Sequence, residues 1–243
     1  MSKKIIYFLI LILFFICNYT YSQGFKENLA IADSLFKKSE YVKATPIYED
    51  IFYKEKKYSS EMLLRLAFIA NKRQDYVAYL YWLNLYFQVQ PSLKISEKIS
   101  NTANTYELTG YELTDRKWFT LLYHHYYKFI ILGICIIGCL ATWFFLFRKQ
   151  NLFVYRRNGI LLLIFLLFSI ISLNIIPETK EIVIAQNNTY LMSAPSGASW
   201  VLGIVQKGQK LPVNNEHDIW VEVTWNNQKV FVKKTQGYLG SVF

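Results

Sequence analysis

The chain has 243 residues, 53% hydrophobic and 18% aromatic, at a mean hydropathy of only +0.17, a balance that describes a membrane protein also carrying soluble domains. Its net charge of +10 belongs to an exported, membrane-inserted chain. The counter-charge it implies is anionic lipid or wall polymer in preference to nucleic acid, so no nucleic-acid partner is expected.

The N-terminus opens on Lys3 and Lys4, continues through the apolar stretch Ile5 to Cys17, and turns polar with small residues at Thr20 and Ser22. That order is a secretory signal peptide over residues 1–22, cut after Ser22. An uncleaved signal anchor is the alternative. A lipoprotein reading of Cys17 is disfavoured by the bulky Phe15 and Ile16. Each reading exports residue 24 onward.

Residues 23–122 read as helices. In EMLLRLAFIANKR, Met62, Leu63, Leu66, Ala67 and Ala70 form one stripe, the spacing of an amphipathic helix. The region also repeats itself: Ala32, Leu35 and Tyr41 recur as Ala67, Ala70 and Tyr76, each 35 positions on. Breakers are few. Pro46 is expected to be tolerable only in a first helical turn. Gly110 is expected to end a helix carrying Ile95, Ile99, Ala103 and Tyr106. Thr114 and Asp115 then start the next helix, which runs into the apolar stretch that follows. With its period near 34 residues, the region resembles tetratricopeptide repeats at about 25–58 and 60–93, the remainder supplying a third helix pair. The resemblance implies a concave surface for partner proteins. Tyr76, Tyr79, Trp82 and Tyr86 are the candidate partner-binding residues, with core packing as the competing account. His124 and His125, among Tyr123, Tyr126 and Tyr127, read as an interfacial aromatic belt and not as a metal site.

Two uncharged runs follow, Phe129 to Phe147 and Ile160 to Ile176. A bilayer core needs roughly 17 to 25 such residues as helix. They predict transmembrane helices over 123–147 and 159–177, with a loop over 148–158. A very apolar hairpin buried in a soluble core is the alternative. Cys135, Gly138, Cys139 and Thr142 form a small-residue stripe suited to helix packing. The loop carries Arg148, Lys149, Arg156 and Arg157 without an acidic residue. Such loops stay cytoplasmic, so these four residues determine the topology and place both flanking domains outside.

From residue 178 the pattern alternates. Trp220 to Trp225, Asn226-Asn227 and Gln228 to Val232 read as a hairpin on a tight turn. Earlier strands are expected at 182–185, 189–193, 201–205 and 209–213, giving a small all-β barrel over 178–243. His217 falls in an apparent turn. The order Tyr190-Leu191-Met192-Ser193-Ala194-Pro195-Ser196, then Gly203, Gly208, Trp220 to Val223, and Tyr238-Leu239 resembles a bacterial SH3-like domain. Many such domains bind wall peptides or glycan. Trp200, Trp220 and Trp225 are the candidate wall-ligand residues, with packing as the competing account.

No catalytic constellation, metal set, phosphate loop or cofactor motif stands out, so no enzyme and no cofactor is expected. The order of signal peptide, exported repeats, two spans with a basic loop and an exported SH3-like domain resembles BatE of the Bacteroides aerotolerance group. The resemblance implies a non-enzymatic inner-membrane scaffold, contacting membrane lipid and partner proteins such as von Willebrand A-domain proteins. A peptidoglycan-binding sensor or tether is the alternative. A reporter active only in the cytoplasm, fused at Phe243, is expected to be silent; activity there would reverse the orientation.

Overall fold

The computed structural model describes residues 23–147, residue 164 and residues 180–240. The signal segment, the basic loop with Arg148, Lys149, Arg156 and Arg157, and all of the second apolar run except Ile164 lie outside the described residues. Among the described residues six helices come first: α1 (Gln23–Lys37), α2 (Tyr41–Tyr53), α3 (Ser60–Lys72), α4 (Tyr76–Val89), α5 (Leu93–Thr105) and α6 (Asp115–Phe147). Seven strands follow: β1 (Lys180–Ile184), β2 (Thr189–Met192), β3 (Val201–Val205), β4 (Lys210–His217), β5 (Trp220–Trp225), β6 (Gln228–Lys233) and β7 (Gly237–Gly240). The chain divides within α3 into two compact units, residues 1–62 and 63–243.

In the first unit, α1 and α2 pack on each other. Ala32 and Ala44 are fully buried, small enough to let two helices close. The Tyr48 hydroxyl donates to Asp33 at 2.7 Å, and Asn28 donates to Glu55 at 2.9 Å. Pro46 is the sixth residue of α2, beyond the first turn, and the helix continues through it. The carbonyl that loses its donor belongs to Val42, a residue 78% exposed, where water can take the missing bond.

One turn recurs along the helical region. Glu40, Asp75 and Leu108 each donate a backbone N–H to the carbonyl five residues earlier, on Leu35, Ala70 and Ala103. The preceding residues Ser39, Gln74 and Glu107 all sit at positive φ, 62°, 59° and 53°. This is the left-handed helix ending usually given to glycine. Glu107 therefore ends α5's turn, not Gly110. Gly110 (φ 88°) serves a close approach instead: a Cβ there would overlap the Lys210 carbonyl oxygen.

In the second unit, α4 is buried on nearly every side, from Val77 through Gln88. Its N-terminus is capped by Asp75, whose carboxylate accepts from the Ala78 N–H at 3.1 Å. Against α4 lies the first part of α6, where Trp118 stacks on Phe87 at 6.3 Å and Leu121 is buried. The His125 ring bonds the Val89 carbonyl at 2.9 Å, a specific tie where a general interfacial role was expected. Beyond Lys128 the side chains of Phe129, Leu132, Ile136, Ile137 and Leu140 are exposed. Among the described residues one helix is long and apolar enough to cross a membrane, over Asp115–Gly138. The helix is continuous from Asp115, eight residues before the expected start of the span.

The strands form one antiparallel sheet in the order β3-β2-β6-β5-β4-β1-β7. Asn226 and Asn227 both have positive φ, 47° and 60°, as a two-residue hairpin loop between β5 and β6 requires. β4 runs on to His217, which pairs with Trp220, so this histidine closes a strand and the turn is Asp218-Ile219. Ile182, Ile184, Leu191, Val205, Leu211, Val221, Val223, Val230 and Val232 meet in one core, with Leu239 against it. Strands from both ends of the order share that core, so the sheet curls around it.

Candidate functional site

Within the second unit, the helices and the sheet meet on a buried carboxylate. Glu181, near the start of β1, receives Lys117 of α6 at 2.5 Å on one oxygen. Its other oxygen accepts from the Asn84 amide of α4 at 2.9 Å and lies 3.4 Å from Lys210 of β4. Lys210 also donates to the Asn84 carbonyl oxygen at 3.3 Å and sits over the Tyr111 ring, 4.6 Å from its centroid. The side chains are 13%, 19% and 2% exposed for Glu181, Lys117 and Lys210. A carboxylate and two ammoniums in so dry a place are held only because each has partners.

Burial pushes the Glu181 carboxyl up, but the charges of Lys210 and Lys117 and two hydrogen bonds reverse this and hold it at about 2. Burial pushes Lys210 below the ordinary lysine range; Glu181 opposes that shift and Lys117 adds to it. The Tyr111 hydroxyl is pushed far above its ordinary value by burial, with Glu181 contributing.

The segment between α5 and α6 clamps the same junction. Tyr111 donates to the Gly208 carbonyl at 2.8 Å, and Lys210 donates its backbone N–H to Thr109 at 3.2 Å. The Thr109 hydroxyl bonds the Gln209 side chain. On the far side of β1, Tyr81 of α4 stacks on Tyr238 at 5.0 Å and reaches the Leu239 carbonyl at 3.4 Å. The edge strand β7 is thus covered by a helix.

The aromatic candidates separate by burial. Tyr79 and Trp82 are 6% and 3% exposed and belong to the interior, so in this fold neither ring is offered to a partner. Tyr86 is half-buried, its hydroxyl on Gln90 at 3.2 Å. Tyr76 is half-buried and stacked on Tyr106 at 4.0 Å. Of the three tryptophans, Trp220 is buried and Trp225 packs on the sheet core, its ring where a side chain at Gly203 would sit. Trp200 alone of these stands out in solvent, at 84% exposure. Packing therefore accounts for four of the seven rings.

Glu181, Lys117, Lys210 and Asn84 carried no motif. One signal was present: Asn84 and Gln88 lie one turn apart in the otherwise apolar YVAYLYWLNLYFQV and are both buried, which demands polar partners.

His217 lies 3.5 Å from Glu222, which also takes Lys229 at 3.1 Å. Among the described residues no group of three or more His, Cys, Asp or Glu is placed to hold a metal ion. Comparison with protein-family models, with curated proteins and with solved structures finds no match.

Removing the shared carboxylate leaves two buried cations facing each other. Glu181→Gln is expected to lower stability by about 3–5 kcal/mol, measured by urea unfolding of the detergent-solubilised chain, with Lys210→Met in that background restoring part of it. The pH dependence has two signs. Glu181 is depressed when folded, so its contribution is present above pH 4.5 and fades as pH falls toward about 2. Lys210 is lowered from 10.5 to about 7, so between those values the unfolded chain binds more protons and stability rises with pH. Lys210→Met should abolish the alkaline rise; an unchanged rise would show that Lys210 is not its source.

Proposed function

We propose that this chain is a non-enzymatic, membrane-anchored scaffold whose helical region binds partner proteins. The Glu181 junction carries the reading. It ties the sheet, α4 and the first turns of α6 into one block, and α6 continues as the helix apolar enough to cross a membrane. A block fixed rigidly to its anchor suits a component that holds others in position.

In this reading the helical region is tetratricopeptide-like and the sheet SH3-like. The two apolar runs form a hairpin, and Arg148, Lys149, Arg156 and Arg157 keep its loop in the cytoplasm. Both domains then face the periplasm from the inner membrane. The layout is that of a BatE-like protein, working beside von Willebrand A-domain membrane proteins. Affinity purification from detergent-solubilised membranes should recover such partners, and truncation within 25–120 should lose them. Recovery of no partner that depends on this region would sink the scaffold.

A second reading has its own observation. From Ile182 to Gln206 the chain carries no charge, yet Trp200, Tyr190, Leu202 and Ile204 are exposed there. An exposed tryptophan on an uncharged hairpin suits a peptidoglycan-binding tether. The full chain in detergent would then sediment with purified peptidoglycan, and Trp200→Ala would release it. A chain that stays in the supernatant ends that reading.

A further inference from the structure

A cleft of about 360 Å³ opens in the second unit between the α3–α4 turn and the sheet. One wall is Arg73 to Val77; the other is Ala185, Lys207 and Tyr238. It is large enough for a short stretch of peptide and larger than a single small anion needs. Each wall brings a cation, Arg73 on one side and Lys207 on the other. The one carboxylate in the lining, Asp75, is turned to its own helix, accepting the Ala78 N–H. The helix terminus is thereby already capped, so the attraction comes from the two side-chain cations.

The aromatic lining is rigid but is not a sugar platform. Tyr76 has Tyr106 stacked on it at 4.0 Å and the Lys207 ammonium over its ring at 5.3 Å. Tyr238 has Tyr81 against one face at 5.0 Å. With the Tyr76 ring occupied in this way, recognition falls to charge and to ring edges, not to stacking on a glycan.

Position selects the source of the ligand. The cleft sits at the N-terminal end of α4. That helix rises about 20 Å to Val89, where His125 meets it, four residues before the exposed apolar stretch of α6 begins at Phe129. The cleft is therefore at the end of α4 remote from the exposed apolar stretch of α6, which favours a protein ligand over lipid headgroups.

We propose that this cleft binds an acidic segment of a partner protein, its carboxylates held between Arg73 and Lys207. This rests on the scaffold reading and names the chemistry of one partner contact. The test uses the full chain in detergent micelles and fluorescence anisotropy with a labelled glutamate-rich peptide and its glutamine counterpart. The glutamate peptide is expected to bind at least about tenfold more tightly. Lys207→Glu and, separately, Arg73→Glu are each expected to weaken it by about tenfold, with circular dichroism confirming that both variants stay folded. Equal binding of the two peptides, or indifference to both charge reversals, overturns the assignment. So does sedimentation with purified peptidoglycan that Lys207→Glu abolishes and the glutamate peptide does not compete, which would make the ligand wall polymer. If membrane partners are still recovered through residues 25–120 while the peptide arms fail, the cleft assignment falls and the scaffold stands.

Discussion

The second unit depends on one carboxylate that has to be shared. Glu181 cannot be buried by itself, and neither Lys117 nor Lys210 can. Each becomes tolerable only when the other two arrive, from α6, β1 and β4. Three segments distant in sequence are thus held to one arrangement by a requirement that apolar packing alone does not impose. Hydrophobic contact would accept many ways of laying a small sheet against a helix. A charge trio centred on Glu181, with Asn84 bridging Glu181 and Lys210, accepts far fewer.

That constraint explains how the neighbouring features fit. The segment from Thr109 to Tyr111 has to run tight against the start of β4, so position 110 has no room for a side chain. Tyr111 then closes over Lys210, removing water from the ammonium and supplying a ring face in its place. A cavity of about 10 Å³ beside Lys117 and Lys210 leaves room for about one water. The sheet is consequently not an independent bead at the end of a tether. Its most buried lysine, Lys210, is partnered by Glu181, by Asn84 of α4 and by Tyr111 of the segment before α6.

Much of this fold was legible in the sequence because its periodicities are local. The β5–β6 hairpin follows from strict alternation around Asn226-Asn227, and six strand positions follow the same rule. The helix stripe at Met62 to Ala70 faces inward as its spacing requires; of the stripe Ile95, Ile99, Ala103 and Tyr106 only Ile99 and Ala103 are buried, Ile95 being half-buried and Tyr106 exposed. What escaped was non-local. Glu181 and Lys117 are 64 residues apart and Glu181 and Asn84 are 97 apart, and no spacing rule links them. Composition also misled where it carried no direction. Tyr79 and Trp82 look like a partner face when counted and turn out to be interior; of the wall-ligand candidates Trp220 is buried, Trp225 is half-buried against the sheet core and Trp200 is exposed. The helix endings at Ser39, Gln74 and Glu107 were hidden because the residue type normally diagnostic of that backbone is absent from all three.

The sheet's two edges differ in a way that sets how copies or strands could add to it. Strand β7 lies under α4, with Tyr81 on its outward carbonyl, while β3 at the other end has, among the described residues, no neighbouring strand beyond β2. A sheet with both edges open can be extended indefinitely. A sheet with one edge closed can join one other copy of itself edge to edge, and the pair then has no free edge left. Joining of copies through β3 is therefore self-terminating: with β7 covered, such contact gives a pair and not a ribbon.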